Sequence, residues 1–316
     1  MPRSRKPADV QPIREGSSDI ALQRALQFLH GRPPESLEQA SDILSELLAT
    51  PVDELPEPAE PLDRAQMLVY DAWEEPDSKR RIAIAREALA ISPDCADAYL
   101  VLAEESANIT ECRALTLDAV AAGRRAIGDD MEQLAADEAM WLVIETRPYL
   151  RALMLLGSID WDMGDRQAAI AHGWELLRLN PGDNQGMRYV QLLRLMQAGS
   201  LAEIDRLLGM YPDHGSAAWS FGRALHLFRT LGAGPEADAA LSEAKRANHH
   251  VVPYLLGERE IPMQPPEFIG FGDETEAAAY AYDALFLWGD APGSQLWLST
   301  RRGRSTTPRG KRKRKR

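Results

Sequence analysis

The sequence predicts an all-α fold, a right-handed solenoid of tetratricopeptide-like helical repeats with disordered basic termini, and three observations carry that expectation. Leucine and alanine are abundant, while the Val/Ile/Thr-rich alternating runs that suit a pleated, half-buried strand are missing. Apolar residues recur instead at helical spacing, in stretches of about 12 to 16 residues divided by short breakers. Two of the breakers share one form, "ALAISPDCADAYLVLA" and "LLRLNPGDNQGMRYVQLL": an apolar helix end, a proline-containing turn, then an amphipathic helix. Recurring helix-proline-helix units mark helical repeats.

The elements follow in order. Residues 1–17 are basic, lack apolar periodicity and are expected to be disordered. Residues 18–50 form a helical pair, with Ile20, Leu22, Ala25, Leu26 and Leu29 on one face, then Leu37, Ala40, Ile43, Leu44, Leu47 and Leu48 after "GRPPES". Pro51, Pro56, Pro58 and Pro61 exclude a regular helix from 51–62, which reads as a semi-rigid linker. The repeat domain occupies 63–298.

Its best unit runs from Tyr149 to Pro181. Leu153, Leu156 and Gly157, the Gly164-Asp165 turn, Ala169 and Pro181 fall where a repeat of roughly 34 residues wants them. Gly157 and Ala169 read as positions of close helix approach. Weaker units contain Tyr99, Leu102 and Ala103 ahead of Cys112, Met187 and Val190 ahead of Gly199, and Trp219, Gly222, Ala237, Leu241 and Ala244. An additional helix, Met131 to Ile144, interrupts the rhythm. Residues Val252 to Gly272 are irregular, because Pro253, Pro262, Pro265 and Pro266 break any helix, and a last helix from Glu274 to Leu287 closes the solenoid. Residues 299–316 form a polybasic tail, expected to be disordered.

At 316 residues and 45% hydrophobic content the chain can bury a sizeable core. The net charge of −12 hides an asymmetry, since 301–316 carries ten Lys/Arg and no acid, leaving 26 basic against 48 acidic residues in 1–300. An acidic body with a cationic tail can touch anionic partners or fold back on itself. Cys95 and Cys112 have no CxxC spacing and are expected to be reduced thiols. The longest apolar neighbourhood is broken by Glu145, Arg147, Pro148 and Arg151, short of the ~20 apolar residues of a membrane span. Without an export-type leader either, a soluble cytoplasmic protein is expected.

With these residues in place, the chain resembles the tetratricopeptide-like family named after "suppression of tumorigenicity", number seven, in a soluble form of bacterial type. The stretches that carry the resemblance are "AWEEPDSKRRIAIAREALAISPDCADAYLVLAEES", "ETRPYLRAL", "LLRLNPGDNQGMRYVQLL", "GSAAWSFGRALHLF" and "VVPYLLGERE", spanning roughly 63–298. The resemblance implies a helical-repeat protein without a demonstrated reaction. The N-terminal pair and the KRKRKR tail lie outside it.

The motifs with the residue types of chemical sites read as structure. "GDNQGM" lacks the Lys-Ser/Thr of a phosphate loop and follows a helix rather than a strand, and it lacks the alternating acids of a calcium loop. As a helix stop it is complete: Pro181 ends the helix, Gly182 allows positive φ, and Asp183 or Asn184 caps the next helix. His30, His172, His214, His226, His249 and His250 form no HExxH, no serine sits in G-x-S-x-G, and paired acids such as Glu74-Glu75, Glu104-Glu105 and Asp129-Asp130 read as solvated faces. No enzyme, metal or cofactor is expected.

The first helices of stacked repeats line a concave groove, which places Glu104, Asn108, Ser158, Trp161, Gln185, Arg188, Tyr189 and Phe221 as candidates for binding a peptide or partner protein. Arg188 and Tyr189 are the sharpest, joining a fork of donors to an aromatic face suited to a peptide carboxylate; the alternative is an internal ion pair and a core tyrosine. Glu145 and Arg147 are expected to clamp the inserted helix. The tail residues Arg309, Lys311, Arg312, Lys313, Arg314, Lys315 and Arg316 offer a second mode, binding nucleic acid or another polyanion by counterion release.

Overall fold

A computed structural model describes residues 58–212, 215–266 and 268–301, with a few positions between 36 and 46. The N-terminal segment, most of the helical pair and of the linker, and the tail cations Arg309 and Lys311 to Arg316 lie outside the described residues, as does His214. Every regular element among the described residues is helical. These residues form two compact units divided between Met187 and Arg188.

The first unit contains α1 (Pro61–Glu74), α2 (Ser78–Ile91), α3 (Ala96–Glu104), α4 (Ile109–Ile127), the short α5 (Met131–Ala136), α6 (Arg147–Asp162) and α7 (Arg166–Leu179). Helix starts follow local chemistry. Asp77, Asn108 and Asp165 each accept a hydrogen bond from a backbone N–H in the first turn of α2, α4 and α7, and Pro61 opens α1 where its missing N–H costs nothing.

Successive helices pack on one another, and α3 is buried on two sides. Ala98 and Val101 join Ala65, Val69, Ala72, Ala85 and Ala88 in one cluster; Leu100 and Ala103 join Ala119, Ala152, Leu155 and Ile159 in the next. Alanine on facing helices brings the backbones close. The helices approach closely where α4 crosses α6, since a Cβ on Gly123 would stand 2.9 Å from Tyr149 Cβ and 3.0 Å from its Cα. Backbone cannot yield as a side-chain tip can. Gly123→Ala is therefore expected to destabilise by about 1–3 kcal/mol despite its better helix propensity, read as a lower midpoint of urea denaturation.

A buried polar network ties α1, α3 and α6 together. Asp97, fully inaccessible, receives Arg151 Nε at 3.0 Å and Nη2 at 2.5 Å, and Gln66 Nε2 donates to its second oxygen at 2.9 Å. The Arg151 guanidinium also lies 5.5 Å from the Trp73 ring centroid. Burial, reinforced by the Asp97 charge, pushes the neighbouring Cys95 thiol up to about 12, so Cys95 is an inert packing residue. Deeper along α6, Asp160 bridges Arg113 Nε of α4 at 2.6 Å and His172 Nε2 of α7 at 3.2 Å.

Two expectations need correction. The additional helix ends at Ala136 rather than Ile144, because Glu138 takes a positive φ of 54° and turns the chain. From there to α6 the path is held by side chains of "ETRPY". Thr146 Oγ1 donates to the Met140 and Val143 carbonyls, and Arg147 donates to the Trp141 carbonyl at 3.1 Å while stacking 4.7 Å from the Trp141 ring centroid. Arg147 is thus a clamp on the inserted segment. In "NPGDNQG" positive φ falls on Asp183 (50°) and Gly186 (72°), not on Gly182. The Asp183 carboxylate accepts the Met187 N–H at 2.6 Å, launching the next helix.

The second unit contains the remainder of α8 (Met187–Ala198), then α9 (Leu201–Met210), α10 (Ala217–Leu231), α11 (Pro235–Ala247), α12 (Val251–Leu255), α13 (Glu274–Gly289) and α14 (Ser294–Thr300). Its core is aromatic. Phe221 lies 5.8 Å from Tyr280 and 6.4 Å from Trp288, Trp288 stacks on Trp297 at 6.3 Å, and Trp297 stacks on Phe228 at 4.6 Å. The last long helix starts at Glu274 as the spacing predicts, but the expected irregular stretch begins later than Val252: Pro253 sits in the first turn of α12, where its missing N–H breaks no helical bond, and the chain becomes irregular only after Leu255.

Candidate functional site

The helix-breaking turn delivers Arg188 and Tyr189 to the first turn of α8. In the second unit their surroundings are aromatic. The Arg188 guanidinium lies 5.3 Å from the Tyr189 ring centroid and 4.9 Å from that of Tyr211, which follows α9. Trp219, in the first turn of α10, meets both tyrosines edge-on, at 6.4 Å and 86° to Tyr189 and at 6.0 Å and 88° to Tyr211. The negative ring faces attract the cation, and the edge-to-face contacts hold the rings. Trp219 is only 2% exposed; Arg188, Tyr189 and Tyr211 are half-buried.

Two devices set the position of Trp219. The Ser216 hydroxyl accepts the Trp219 N–H at 3.3 Å, and the carboxylate of Glu276 accepts the Ala217 N–H at 2.7 Å. Glu276, itself buried, also receives Asn248 Nδ2 at 2.9 Å and the Gly272 N–H at 2.8 Å. One carboxylate thereby joins the start of α10, the end of α11 and the start of α13. Stacking occupies the face of a guanidinium and leaves hydrogen bonding to its edge, so ring contact and carboxylate recognition are compatible in Arg188.

The other groove candidates have other occupations. Phe221 is fully buried among Tyr280 and Trp288, which corrects its expected place on a groove: it is core. Asn108 is exposed, but its side-chain oxygen caps α4 through the Glu111 N–H at 3.0 Å. The Ser158 hydroxyl donates to the Met154 carbonyl of its own helix at 3.1 Å, and Trp161, half-buried, lies under Arg166 at 5.4 Å. Glu104 is half-buried at the end of α3, and Gln185 sits in the turn rather than on the helix it precedes. Of the eight, Arg188 and Tyr189 are brought into one described cluster.

Reasoning from sequence missed the partners of that cluster. Tyr211 had no signal, lying in a helix-terminal position, and Trp219 was visible only as a large residue of a weak repeat. It also passed over Asp97, Arg151, Asp160 and Glu276, buried ionisable groups that composition counts as surface charge. Among the described residues no group of three or more His, Cys, Asp or Glu side chains is placed to hold a metal ion.

The ST7 protein family model matches residues 58–138 of this chain. The Protein ST7 homolog of Caenorhabditis elegans is 28% identical over 272 residues, 72% of this chain and 49% of its own length. The Suppressor of tumorigenicity 7 protein-like sequences of Bos taurus and Homo sapiens are each 28% identical, covering 70% of this chain and 44% and 42% of their own lengths. The chain is thus similar to ST7 proteins, and it spans about half the length of the curated relatives it matches.

Proposed function

We propose that this chain is a protein-interaction module: a tetratricopeptide-like helical solenoid, acting as an adaptor, that binds a peptide or partner protein at the surface bearing Arg188 and Tyr189. The observation that carries this reading is the Arg188 guanidinium laid on Tyr189 and Tyr211 beside Trp219. Arginine and aromatic residues are the side chains that dominate binding energy at protein interfaces. The pairwise packing of successive helices in the first unit, with α3 buried on two sides, supports the repeat reading. No described helix is long and apolar enough to cross a membrane.

The test is capture of a co-purifying partner by wild type and by Arg188→Ala with Tyr189→Ala. Partner capture is expected to fall at least roughly tenfold, as for truncation of interface anchors, with helical circular dichroism retained. Arg188→Lys, which keeps the charge and loses the planar fork, is expected to lie between the two. Equal capture by all three chains would overturn the assignment, and unfolding of the double variant with normal capture by Arg188→Lys would make the pair structural.

A further inference from the structure

Trp219 also borders a cleft of about 380 Å³ in the second unit, lined in addition by Ser220 and Arg223 of α10 and Glu243 and Arg246 of α11. The spacing explains the assembly. Trp219, Ser220 and Arg223 share one face of α10, and Ala240, Glu243 and Ala247 recur at helical spacing on α11, the two alanines leaving the space between the helices open. Arg223 approaches Glu243 only loosely, at 3.6 Å, and both side chains are about half exposed. Arg246 is exposed at the end of α11 and forms no ion pair among the described residues.

Among the described residues, two guanidinium groups and one carboxylate line this cleft, a locally positive lining on a body that carries 26 basic against 48 acidic residues. A mostly acidic surface repels anions, so a local positive cleft with low-dielectric walls selects where one is admitted. The volume suits one side chain or chain end, lying near the lower bound of roughly 300 Å³ for ligand pockets. With Glu243 on the rim, the net charge of the site balances a single negative charge better than a doubly charged phosphate.

We propose that this cleft binds a carboxylate of an acidic peptide, with Arg223 and Arg246 as donors and Trp219 as the apolar wall. The proposal rests on the reading of the chain as an interaction module and names the chemistry of its partner. The carboxylate belongs either to a peptide C-terminus or to an Asp or Glu side chain.

Fluorescence anisotropy of the full-length protein with fluorescein-labelled Gly-Ser-Gly-Asp-Glu tests it, at about 0.15 M salt so that exposed long-range charges are screened. Arg223→Ala and Arg246→Ala are each expected to weaken binding about fivefold to tenfold, less than a fully buried charged hydrogen bond would give, because both arginines are exposed to solvent. Glu243→Gln is expected to tighten it about twofold to threefold by releasing Arg223, as for a weak exposed pair. The basic tail is identical in all of these chains, so its nonspecific attraction cancels in the comparison.

Retained binding of the C-terminally amidated peptide assigns the site to side-chain carboxylates, and its loss assigns it to the chain end. Unchanged affinity in both arginine variants, weaker binding in Glu243→Gln, or tighter binding of a phosphoserine peptide overturns the proposal. Failure of the peptide to bind while Arg188 and Tyr189 still govern partner capture removes the carboxylate site alone; absence of any captured partner removes the interaction-module reading with it.

Discussion

Replacing Arg151 by methionine is expected to cost about 3–5 kcal/mol, the range for breaking a buried ion pair by removing one partner. Methionine fills much of the space of the arginine stem but leaves Asp97 fully inaccessible without its two charge-assisted bonds and, among the described residues, with Gln66 as its remaining side-chain donor. The Coulombic gain of the pair matters less than the cost of an orphaned carboxylate. A double replacement, Asp97→Leu with Arg151→Met, is accordingly expected to recover most of the loss. The two equilibrium urea unfolding curves decide it: a double variant as unstable as the single one would mean that packing against Trp73, not charge pairing, is what Arg151 supplies.

The second large effect is expected at Glu276. Glu276→Ala removes a buried acceptor that serves three donors from separate parts of the second unit, the Ala217 N–H, Asn248 Nδ2 and the Gly272 N–H. Hydrogen bonds to a charged group contribute roughly 1.5–3 kcal/mol each and are not additive, so a loss of about 3 kcal/mol is expected. Glu276→Gln keeps the shape and one acceptor but presents an N–H to at least one donor, and it should fall between wild type and alanine. Because the same carboxylate fixes the first turn of α10, the alanine variant is also expected to weaken peptide binding at the Trp219 cleft. Hydrogen exchange at Ala217 reads the local opening directly; full protection there in Glu276→Ala would show that Ser216 alone holds the helix start.

Much of the fold was legible because its signals are local. Gly164-Asp165 ends one helix and caps the next, with Gly164 at φ 89° and Asp165 accepting from the Ala168 N–H, as the turn chemistry of those two residues requires. The stop in "NPGDNQG" was equally local, although positive φ falls on Asp183, which can also cap, and on Gly186 rather than on Gly182. The error over Met131 to Ile144 arose for the opposite reason. Its apolar spacing continues past Ala136, but the bonds that turn the segment come from Thr146 and Arg147, placed by the following helix. Gly157 and Ala169 are both buried, as close helix approach requires, while the close approach at Gly123 against the Tyr149 backbone carried no sequence signal.

The candidate site was half visible. Arg188 and Tyr189 stood out because two chemically useful residues adjoin in one short stretch, whereas Tyr211, Trp219, Arg223 and Arg246 are scattered along the chain and meet only when α8, α9, α10 and α11 are packed. By itself, then, the sequence determined helical class, the turns at Gly164-Asp165 and in "NPGDNQG", the helix starts at Met131 and Glu274, and the charge contrast between body and tail. Each depends on spacing within a few residues, which backbone geometry converts directly into structure. Only the tertiary structure decided which charges are buried, which aromatic residues are core and which arginines share a cleft. Burial and pairing depend on what other helices bring alongside, and nothing in the neighbouring residues of Asp97, Phe221 or Glu276 records that.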